Sequence, residues 1–462
     1  MDVDVIILSN TVNEELFNIL KQTVDSIHDS ETNHKFNIIV VESCKDISSI
    51  FTYRLAEIRA KFVIPQVPKF NYNLFFNIGL RECKNDFVLF SNSDVIYKKN
   101  WFTSIAKQFE IDPKLMSVSP IDRKWHIHTE ENFNSLKELY IGERVSYEFT
   151  GWSFVVRRSI FNILGSFDEQ FSFYYQDNDW VEMYKLFNIK HGLCTTAHCH
   201  HLLSKTHSTI KPEDKQLCDY NYQYSILEKK WNKNSTPKPH KRLSILICTL
   251  DGRETFLERL KMRLKPQTTH EVEVLLSKDN GVLSIGGKRN ALIESAAGEY
   301  IAFIDDDDWV SENYVEEILK ATDSKPDVVG FNSIIYFNGK TPRRVEITLN
   351  HKKWDHKMGM IEGTQQPITY YRSPNQLTPI KKNIAKQIGF PNAKEADAAE
   401  DVKYSHTIPS IAQTEVYIQD YLYFYDCRFP KVTNVKLPIL LEDLKREKEL
   451  VELAEKYIKL NA

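Results

Sequence analysis

The sequence predicts an α/β protein built from two similar domains in tandem, each with a mostly parallel central sheet. Short apolar runs rich in β-branched residues alternate with segments of helical period, which is the pattern of βαβ units. The same order of elements occurs twice, before and after a polar stretch with two prolines at 232–241. A chain of 462 residues also has the length of two or three domains.

The elements of the two halves correspond one by one. The first run of each half ends in small polar residues, and a second run follows before a helix-period segment leads into a third strand. These three pieces are DVDVIILSN, NIIVVES and FNIGLRECKNDFVLFSNSD in the first half, and RLSILICTL, EVEVLLSKD and RNALIESAAGEYIAFIDDDD in the second. With Asn77 placed on Asn290 the third pieces align without a gap, and Asp94 falls on Asp307. We therefore interpret the chain as a tandem duplication.

This interpretation divides the chain into four segments. We predict a first domain at 1–231, a linker at 232–241, a second domain at 242–436 and a C-terminal helix at 437–462. The polar face of that helix mixes acids and bases, which favours packing on its own domain over a membrane or partner role.

Composition excludes some classes of function. The net charge of −3 provides no overall attraction to nucleic acid or anionic lipid. Seven scattered cysteines are typical of a reducing compartment rather than of a disulfide framework. The N-terminus lacks the pattern of a secretory signal, and no apolar window has the length of a membrane span. We expect a cytoplasmic protein without a transmembrane segment.

Four consecutive carboxylates, Asp305–Asp308, follow the apolar run YIAFI. Two adjacent carboxylates near a protein surface repel each other by roughly 1 to 4 kcal/mol, so something must offset the repulsion. Hard oxygen ligands at the carboxyl end of a strand suit Mn²⁺ or Mg²⁺ that also binds phosphate oxygens. The alternative is an acidic turn in which Asp308 caps the next helix, and this would explain one aspartate of the four.

The motifs resemble those of one known family. GGKRNALIESAAGEY followed by FIDDDD resembles the segment of family 2 glycosyltransferases with the GT-A fold that carries the metal-binding Asp-x-Asp motif. The first half resembles the same family through NYNLFFNIGLRECKNDFVLFSNSDV and through GWSFVVRRSIFNILGSFDEQFSFYYQDNDW. The similarity spans roughly residues 3–206 and 242–425. It implies two Rossmann-like GT-A domains that transfer sugars from nucleotide-sugar donors.

The resemblance also implies roles for individual residues. The implied metal ligands are Asp94, His201, Asp305 and Asp307, and the implied bases that deprotonate the acceptor hydroxyl are Asp177 and Asp401. The residues predicted to contact the nucleotide sugar are Ser9, Glu42, Asn77, Thr249, Asp279, Lys288, Arg289, Asn290 and Asp306. For Lys288 and Arg289 the alternative is a solvated helix start. The first domain departs from the family pattern because Asn92-Ser93-Asp94 holds a single acid, and the second because no histidine follows His406.

The chemistry of sugar transfer requires the same groups. The leaving diphosphate needs a divalent cation, and the acceptor hydroxyl needs a base within hydrogen-bond reach. Direct displacement by that hydroxyl inverts the anomeric carbon. We therefore predict a bifunctional, metal-dependent, inverting glycosyltransferase that acts on a glycan or other glycosylated acceptor.

Several alternatives remain open at this point. One domain could be an inactive module that binds the acceptor, or the acceptor could be a hydroxymethylated DNA base, as for viral and phage members. A glycoside hydrolase, a nucleotidyltransferase and a carbohydrate-binding protein without activity are the rival classes. Trp152 and Trp180 flank the predicted base Asp177 and could stack on a sugar ring, although aromatic residues more often lie in the core.

Overall fold

The computed structural model describes most of the chain and divides it into two compact units. The described residues are 1–51, 54–67, 69–126, 137–202, 219–232, 237–391, 399–428 and 435–461. The first domain comprises Met1–His240 and the second comprises Lys241–Ala462. Each is an α/β unit with one large sheet, which confirms the predicted fold class of two tandem α/β domains.

The described part of the first domain contains nine strands and seven helices. The strands are β1 (Asp2–Ser9), β2 (Lys35–Glu42), β3 (Lys61–Val63), β4 (Phe87–Asn92), β5 (Val95–Tyr97), β6 (Leu115–Ile121), β7 (Leu139–Ile141), β8 (Ser153–Arg157) and β9 (Lys190–His201). The helices are α1 (Glu14–Asp29), α2 (Ile47–Ile50), α3 (Tyr72–Arg81), α4 (Trp101–Ile111), α5 (Phe161–Leu164), α6 (Gln176–Leu186) and α7 (Tyr220–Lys230).

The first sheet has the strand order β3-β2-β1-β4-β8-β6-β9-β5, with β7 paired to β9. Strands β3, β2, β1 and β4 run parallel to one another, whereas β8 runs antiparallel to both β4 and β6. Val3, Val5 and Ile7 of β1 enter one apolar core, and Ile6 and Leu8 enter the other. A strand that is buried on both faces reads as a continuous apolar run, which explains the sequence of β1.

The described part of the second domain contains ten strands and seven helices. The strands are β10 (Lys241–Leu250), β11 (Val272–Asp279), β12 (Gly298–Phe303), β13 (Trp309–Val310), β14 (Val328–Phe337), β15 (Lys340–Ile347), β16 (Asp355–Ile361), β17 (Thr364–Arg372), β18 (Ile380–Lys381) and β19 (Glu415–Cys427). The helices are α8 (Glu254–Leu264), α9 (Ile285–Ser295), α10 (Tyr314–Thr322), α11 (Lys382–Ile388), α12 (Ala399–Ile411), α13 (Leu437–Lys445) and α14 (Glu447–Leu460).

The second sheet repeats the topology of the first. Strands β11-β10-β12-β18-β14-β19 pair with the same relative directions as β2-β1-β4-β8-β6-β9. The short strands β5 and β13 occupy equivalent places, since each follows an acidic turn and pairs antiparallel with the last strand of this set. The predicted duplication is therefore present in the topology. The sheets are mixed rather than mostly parallel, because β8 and β18 each enter antiparallel to both neighbours.

The C-terminal segment forms two helices, whereas the sequence predicted one. Helix α13 ends at Lys445 and α14 begins at Glu447. Leu450 and Ala454 of α14 are buried in a cluster with Trp309 and Phe424 of the second domain. Within the residues that the structure describes, no helix combines the length and hydrophobicity needed to cross a membrane.

A buried ionic network joins these C-terminal helices to the second sheet. The Arg259 guanidinium of α8 lies 2.9 Å from the Asp426 carboxylate and 3.2 Å from the Asp443 carboxylate of α13, and the Arg259 side chain is fully buried. Arg259 also donates a hydrogen bond to the backbone carbonyl of Asp307. Removing one member of such a network leaves its partners as unpaired buried charges.

We expect Arg259→Leu to lower the free energy of unfolding of the second domain by about 3 kcal/mol, because it leaves the buried carboxylates of Asp426 and Asp443 with Arg428 as their shared counter-charge. Urea denaturation of the full chain, followed by tryptophan fluorescence, measures the change. The control is Lys320→Met, which removes an exposed i,i+4 pair with Glu316 and should cost less than about 1 kcal/mol. Equal effects of the two substitutions would contradict the role of the network.

Candidate functional site

The polar residues singled out in the sequence gather at one edge of each sheet. In the first domain, the parallel strands β1, β2 and β4 end at Ser9, Glu42 and Asn92, and their register places Ser9 beside Glu42. In the second domain, β10 and β11 end side by side at Leu250 and Asp279. Carboxyl ends of parallel strands meet at a single edge, and this is where α/β sheets bind ligands.

The four consecutive aspartates of the second domain alternate in exposure. The side chains of Asp305 and Asp307 are 38% and 42% exposed, whereas Asp306 and Asp308 are buried. Asp308 accepts hydrogen bonds from the Tyr423 hydroxyl at 2.7 Å and from the backbone N–H of Asp426 at 2.8 Å.

These contacts decide between the two interpretations of Asp308. Helix α10 begins at Tyr314, and the residue that precedes it is Asn313. The N-cap interpretation of Asp308 is therefore wrong. Asp308 instead connects the acidic turn to β19, and the exposed pair Asp305 and Asp307 is left for a ligand.

Asp306 is occupied by protein groups. Its carboxylate accepts a hydrogen bond from the Thr249 hydroxyl and pairs with the Arg253 guanidinium at 2.6 Å. Contact of Asp306 and Thr249 with a nucleotide sugar stays a prediction. Both residues hold the acidic turn against the end of β10.

Arg253 is a site residue that sequence reasoning missed. Arg253 directly precedes α8. Its guanidinium pairs with Asp306 and also lies 2.8 Å from the Asp307 carboxylate. The available signal was electrostatic: a basic side chain follows the first strand of the domain, opposite a run of acids that needs a counter-charge. A divalent cation bound to Asp307 would share this carboxylate with Arg253.

Arg289 brings the predicted metal ligand and the predicted base into one site. Its buried guanidinium forms an ion pair with Asp401 at the start of α12 and lies 3.6 Å from Asp305. The rings of Phe303 and Phe390 flank it at 5.7 and 5.1 Å. Arg289 is thus not on a solvated helix start, and its counter-charge acts on both carboxylates.

The environment of Asp305 favours its protonated form. Desolvation by the surrounding protein raises the pKa of Asp305 to about 6, although the side chain keeps part of its accessible surface. The positive charge of Arg289 opposes this increase, and the negative charges of Asp307 and Asp401 add to it. A metal ion bound here would replace that proton and relieve the repulsion between the carboxylates.

Lys288 and Asp279 form a second ion pair at the strand ends. The Lys288 ammonium forms an ion pair with Asp279 at the end of β11 and donates to the backbone carbonyl of Thr249 at 3.0 Å. The hydrogen bond from Lys288 is the largest cause that lowers the pKa of Asp279 to about 2. Lys288 is only 3% exposed, so the interpretation as a solvated helix start is wrong for this residue too.

Asp94 and His201 approach each other in the first domain as the resemblance implied. The Nε2 atom of His201, at the end of β9, lies 3.2 Å from Oδ1 of Asp94, and both side chains are buried. Neither ring nitrogen of His201 has a hydrogen-bond partner among the described residues. A buried imidazole that faces a carboxylate without a hydrogen bond fits a divalent cation held between the two.

The second domain has no histidine at the equivalent place. His201 pairs with Val95 in the first sheet, and the corresponding register in the second sheet leads to Tyr425 beside Asp308. Burial, then the negative charge of Asp308, raise the pKa of Tyr425, so its hydroxyl stays neutral. In the described chain no cluster of three or more His, Cys, Asp or Glu residues is arranged to hold a metal. The remaining ligands would be diphosphate oxygens and water.

Asp177 lines a small open pocket in the first domain. Asp177 belongs to the first turn of α6 and packs against Gly151. A Cβ added to Gly151 would lie 2.9 Å from the Cβ of Asp177. Burial raises the pKa of Asp177 above its usual range. Tyr72 lines the same pocket, and its hydroxyl donates to Asn92 at 2.9 Å. Desolvation, followed by the negative charges of Asp177 and Asp94, raises the pKa of Tyr72.

Ser9 and Glu42 make contacts within the protein. The Glu42 carboxylate accepts hydrogen bonds from the backbone N–H groups of Thr11 at 3.0 Å and Cys44 at 2.7 Å. Ser9 shares a hydrogen bond of 2.8 Å with the Thr11 hydroxyl. Both residues order the turns that leave β1 and β2, and their contact with a nucleotide sugar stays a prediction.

Asn77 and Asn290 have one structural role in the two domains, and their contact with a nucleotide sugar stays a prediction. The Asn77 amide donates to the carbonyl of Phe167 at 2.9 Å and accepts from its N–H at 2.9 Å. The Asn290 amide makes the same two bonds to Phe390, each at 2.8 Å. Each amide anchors the chain about ten residues before a predicted base, Asp177 or Asp401.

Trp152 and Trp180 belong to the core. Trp180 is 2% exposed and packs on Phe167 with ring centroids 4.3 Å apart. Trp152 is 7% exposed and stacks on the His201 ring at 4.9 Å. Stacking of either residue on a sugar is therefore ruled out by burial, and the interpretation as core residues is confirmed.

Comparison with known proteins agrees with these features. The family model described as "Glycosyl transferase family 2" matches residues 6–165 and 272–383, which is more than half of the chain and includes parts of both domains. A Bacillus subtilis protein with the curated name "Putative glycosyltransferase EpsH" is 25% identical over 208 residues, which is 39% of this chain. The chain spans 59% of the length of that relative.

Solved structures of more distant proteins also match. TarS of S. aureus is 16% identical with a TM-score of 0.30, and the match covers 40% of this chain and 36% of TarS. The mannosyltransferase PcManGT from Pyrobaculum calidifontis, solved with GDP-Man and Mn²⁺, is 15% identical with a TM-score of 0.35, and the match covers 51% of this chain and 76% of PcManGT. The extent of the family match, over segments of both domains, leads to one conclusion: this chain belongs to glycosyl transferase family 2.

Proposed function

We propose that the protein is a bifunctional, metal-dependent, inverting glycosyltransferase in which each domain moves a sugar from a nucleotide-sugar donor to a hydroxyl of a carbohydrate acceptor. One observation carries the proposal. Each domain has one carboxylate after its third parallel strand and a second carboxylate in the first turn of a later helix. These pairs are Asp94 with Asp177, and Asp307 with Asp401.

In the second domain, Asp305 and Asp307 would hold Mn²⁺ or Mg²⁺. The ion supplies positive charge to the leaving diphosphate when it is bound. Asp401 accepts the proton of the acceptor hydroxyl, and its ion pair with Arg289 orients this carboxylate. Arg253, already paired with Asp307, adds a fixed positive charge beside the same ligands.

In the first domain, Asp94 and His201 would hold the ion, and Asp177 accepts the proton. Burial makes Asp177 a stronger base than an ordinary aspartate, because it raises the pKa of the carboxyl group. The attacking oxygen enters from the side opposite the diphosphate, so the anomeric carbon inverts.

A second candidate function keeps one active domain and one acceptor-binding module. The first domain is the candidate for the module, because Asn92 stands where the second domain has Asp305 and its amide is bound by Tyr72. A hydroxymethylated DNA base as acceptor is less favoured, since the net charge of −3 provides no attraction to DNA.

We expect Asp177→Asn and Asp401→Asn to silence two different donors. Each substitution removes a general base, which typically contributes about 10²- to 10⁴-fold in rate. The measurement is nucleoside diphosphate release across a panel of nucleotide sugars with Mn²⁺ present. The control is Asp420→Asn, an exposed acid of β19 outside the site. Loss of one shared donor in both variants would contradict two independent sites, and an effect of Asp401→Asn alone would favour the single-domain alternative.

Metal removal supplies a separate test. We expect a chelator to abolish donor turnover and added Mn²⁺ to restore it. Asp307→Asn should raise the Mn²⁺ concentration needed for half-maximal rate in the second domain by about tenfold or more, because one of two protein ligands is lost. Asp420→Asn again serves as the control. An unchanged rate in the presence of chelator would overturn the metal-dependent mechanism.

The pH profile of the first domain follows from the burial of Asp177. The base must be ionised to accept a proton, so the rate falls as the pH falls through its pKa. Since burial raises this pKa, we expect the acid limb of the profile to lie above pH ~4, the value for an ordinary aspartate. Rates with the donor that Asp177→Asn silences, measured between pH 4 and 8, provide the profile. A limb at or below the ordinary aspartate value would contradict the assignment.

A further inference from the structure

Four tyrosine rings form a surface patch beside Asp177. We call Tyr174, Tyr175, Tyr220 and Tyr224 the tyrosine patch. The ring of Tyr220 lies 4.8 Å from that of Tyr175 and 5.6 Å from that of Tyr174, and Tyr224 lies 5.5 Å from Tyr175. Tyr220 is 58% exposed and Tyr224 is 44% exposed. Large aromatic rings in contact with one another and open to solvent are typical of binding surfaces.

The patch is held in place by polar anchors on α7, which carries Tyr220 and Tyr224. The side-chain oxygen of Gln223 accepts the backbone N–H of Ser172 at 3.0 Å. At the other end of the helix, the Lys230 ammonium donates to Asp168 at 2.8 Å and to Asp179 of α6 at 2.9 Å. Gln223 is buried, whereas the tyrosines around it are not. These bonds fix α7 against the segment that carries the predicted base and leave its tyrosine rings facing outward.

The patch adjoins the helix that carries the predicted base. Tyr175 immediately precedes α6, and Asp177 is the second residue of that helix. The backbone of Tyr175 has φ of 62°, a left-handed conformation that is unfavourable for a bulky residue and is found mainly where the surroundings enforce it. Desolvation, together with Tyr220, Tyr224 and Asp177, raises the pKa of Tyr175 to about 12. The negative charge of Asp177 thus contributes to the increase in the pKa of Tyr175.

The chemistry of the patch suits a sugar. The flat ring of a tyrosine covers the apolar C–H face of a pyranose, and its hydroxyl group can donate to or accept from the sugar hydroxyls. A protein partner would need a larger apolar surface than four rings provide. Continuity with a base that acts on a hydroxyl favours the carbohydrate over the protein.

We propose that the tyrosine patch is the acceptor-binding platform of the first domain and stacks on a pyranose ring of the carbohydrate whose hydroxyl group reaches Asp177. This inference rests on the proposed function and adds to it the location and the chemical class of the acceptor subsite. The buried Trp152 and Trp180 have no share in it.

The test uses the full chain and methyl glycosides of glucose, galactose, mannose and N-acetylglucosamine as probes. Saturation-transfer NMR measures their binding to the wild type, to the double variant Tyr220→Ala/Tyr224→Ala and to Tyr222→Ala. Tyr222 is a matched control, because it lies on the same helix, is 60% exposed and is outside the patch. We expect the double variant to weaken binding by about tenfold or more, because it removes two aromatic contacts, and Tyr222→Ala to leave binding unchanged. Tyr220→Phe/Tyr224→Phe should keep most of the binding, because it keeps the rings.

Two results would overturn the proposal: no glycoside binds the wild type, or the double variant binds as Tyr222→Ala does. Patch-dependent self-association without sugar binding, seen by light scattering, would also overturn it in favour of a protein interface. Nucleoside diphosphate release from a panel of nucleotide sugars, measured in parallel with Mn²⁺ and the glycosides present, separates the proposal from the proposed function. Intact release with patch-independent sugar binding refutes the platform alone. Patch-dependent sugar binding without release from any donor refutes the transferase activity and leaves a carbohydrate site.

Discussion

The need to compensate carboxylates at the strand ends organises both candidate sites. A carboxylate removed from water must be paired or hydrogen-bonded, and its pKa rises when it is not. In the second domain Arg253 pairs with Asp306, Tyr423 donates to Asp308 and Lys288 pairs with Asp279. With these acids occupied, Asp305 and Asp307 are the two of the four consecutive carboxylates that keep exposed surface. The run of acids is therefore divided between scaffold and ligand site, and the division follows from burial.

The two domains share one sheet topology and one pair of asparagine hydrogen bonds, and they differ at the predicted metal site. Asn77 and Asn290 bind the backbone of Phe167 and Phe390 with matching pairs of hydrogen bonds, in sheets of the same topology. At the predicted metal site the first domain has one aspartate and a histidine, whereas the second has two aspartates and a neutral tyrosine, Tyr425. Imidazole and carboxylate are both ordinary ligands of Mn²⁺, so the proposal of two active domains is compatible with this difference.

Sequence reasoning predicted the composition of the sites better than the function of each member. It correctly placed Asp94 near His201, and Asp305 near Asp401, because motif order along the chain defines which strand ends and helix starts meet at one edge. It did not predict that the amides of Asn77 and Asn290 bind the backbone of Phe167 and Phe390. It missed Arg253 and the tyrosine patch, since their partners are distant in the sequence or lie on separate elements. Hydrogen-bond partners of this kind are not encoded by local pattern.

The sequence by itself determined the duplication, the α/β class and the edge of the sheet where the acids gather, because these follow from the period of apolar residues and from the direction of parallel strands. The tertiary structure decided which acids are open, which cations hold them and which aromatic rings face solvent. Burial and charge pairing depend on contacts between residues far apart in the chain, such as Arg259 with Asp443 or Tyr175 with Tyr220. Only the packed fold brings those residues together.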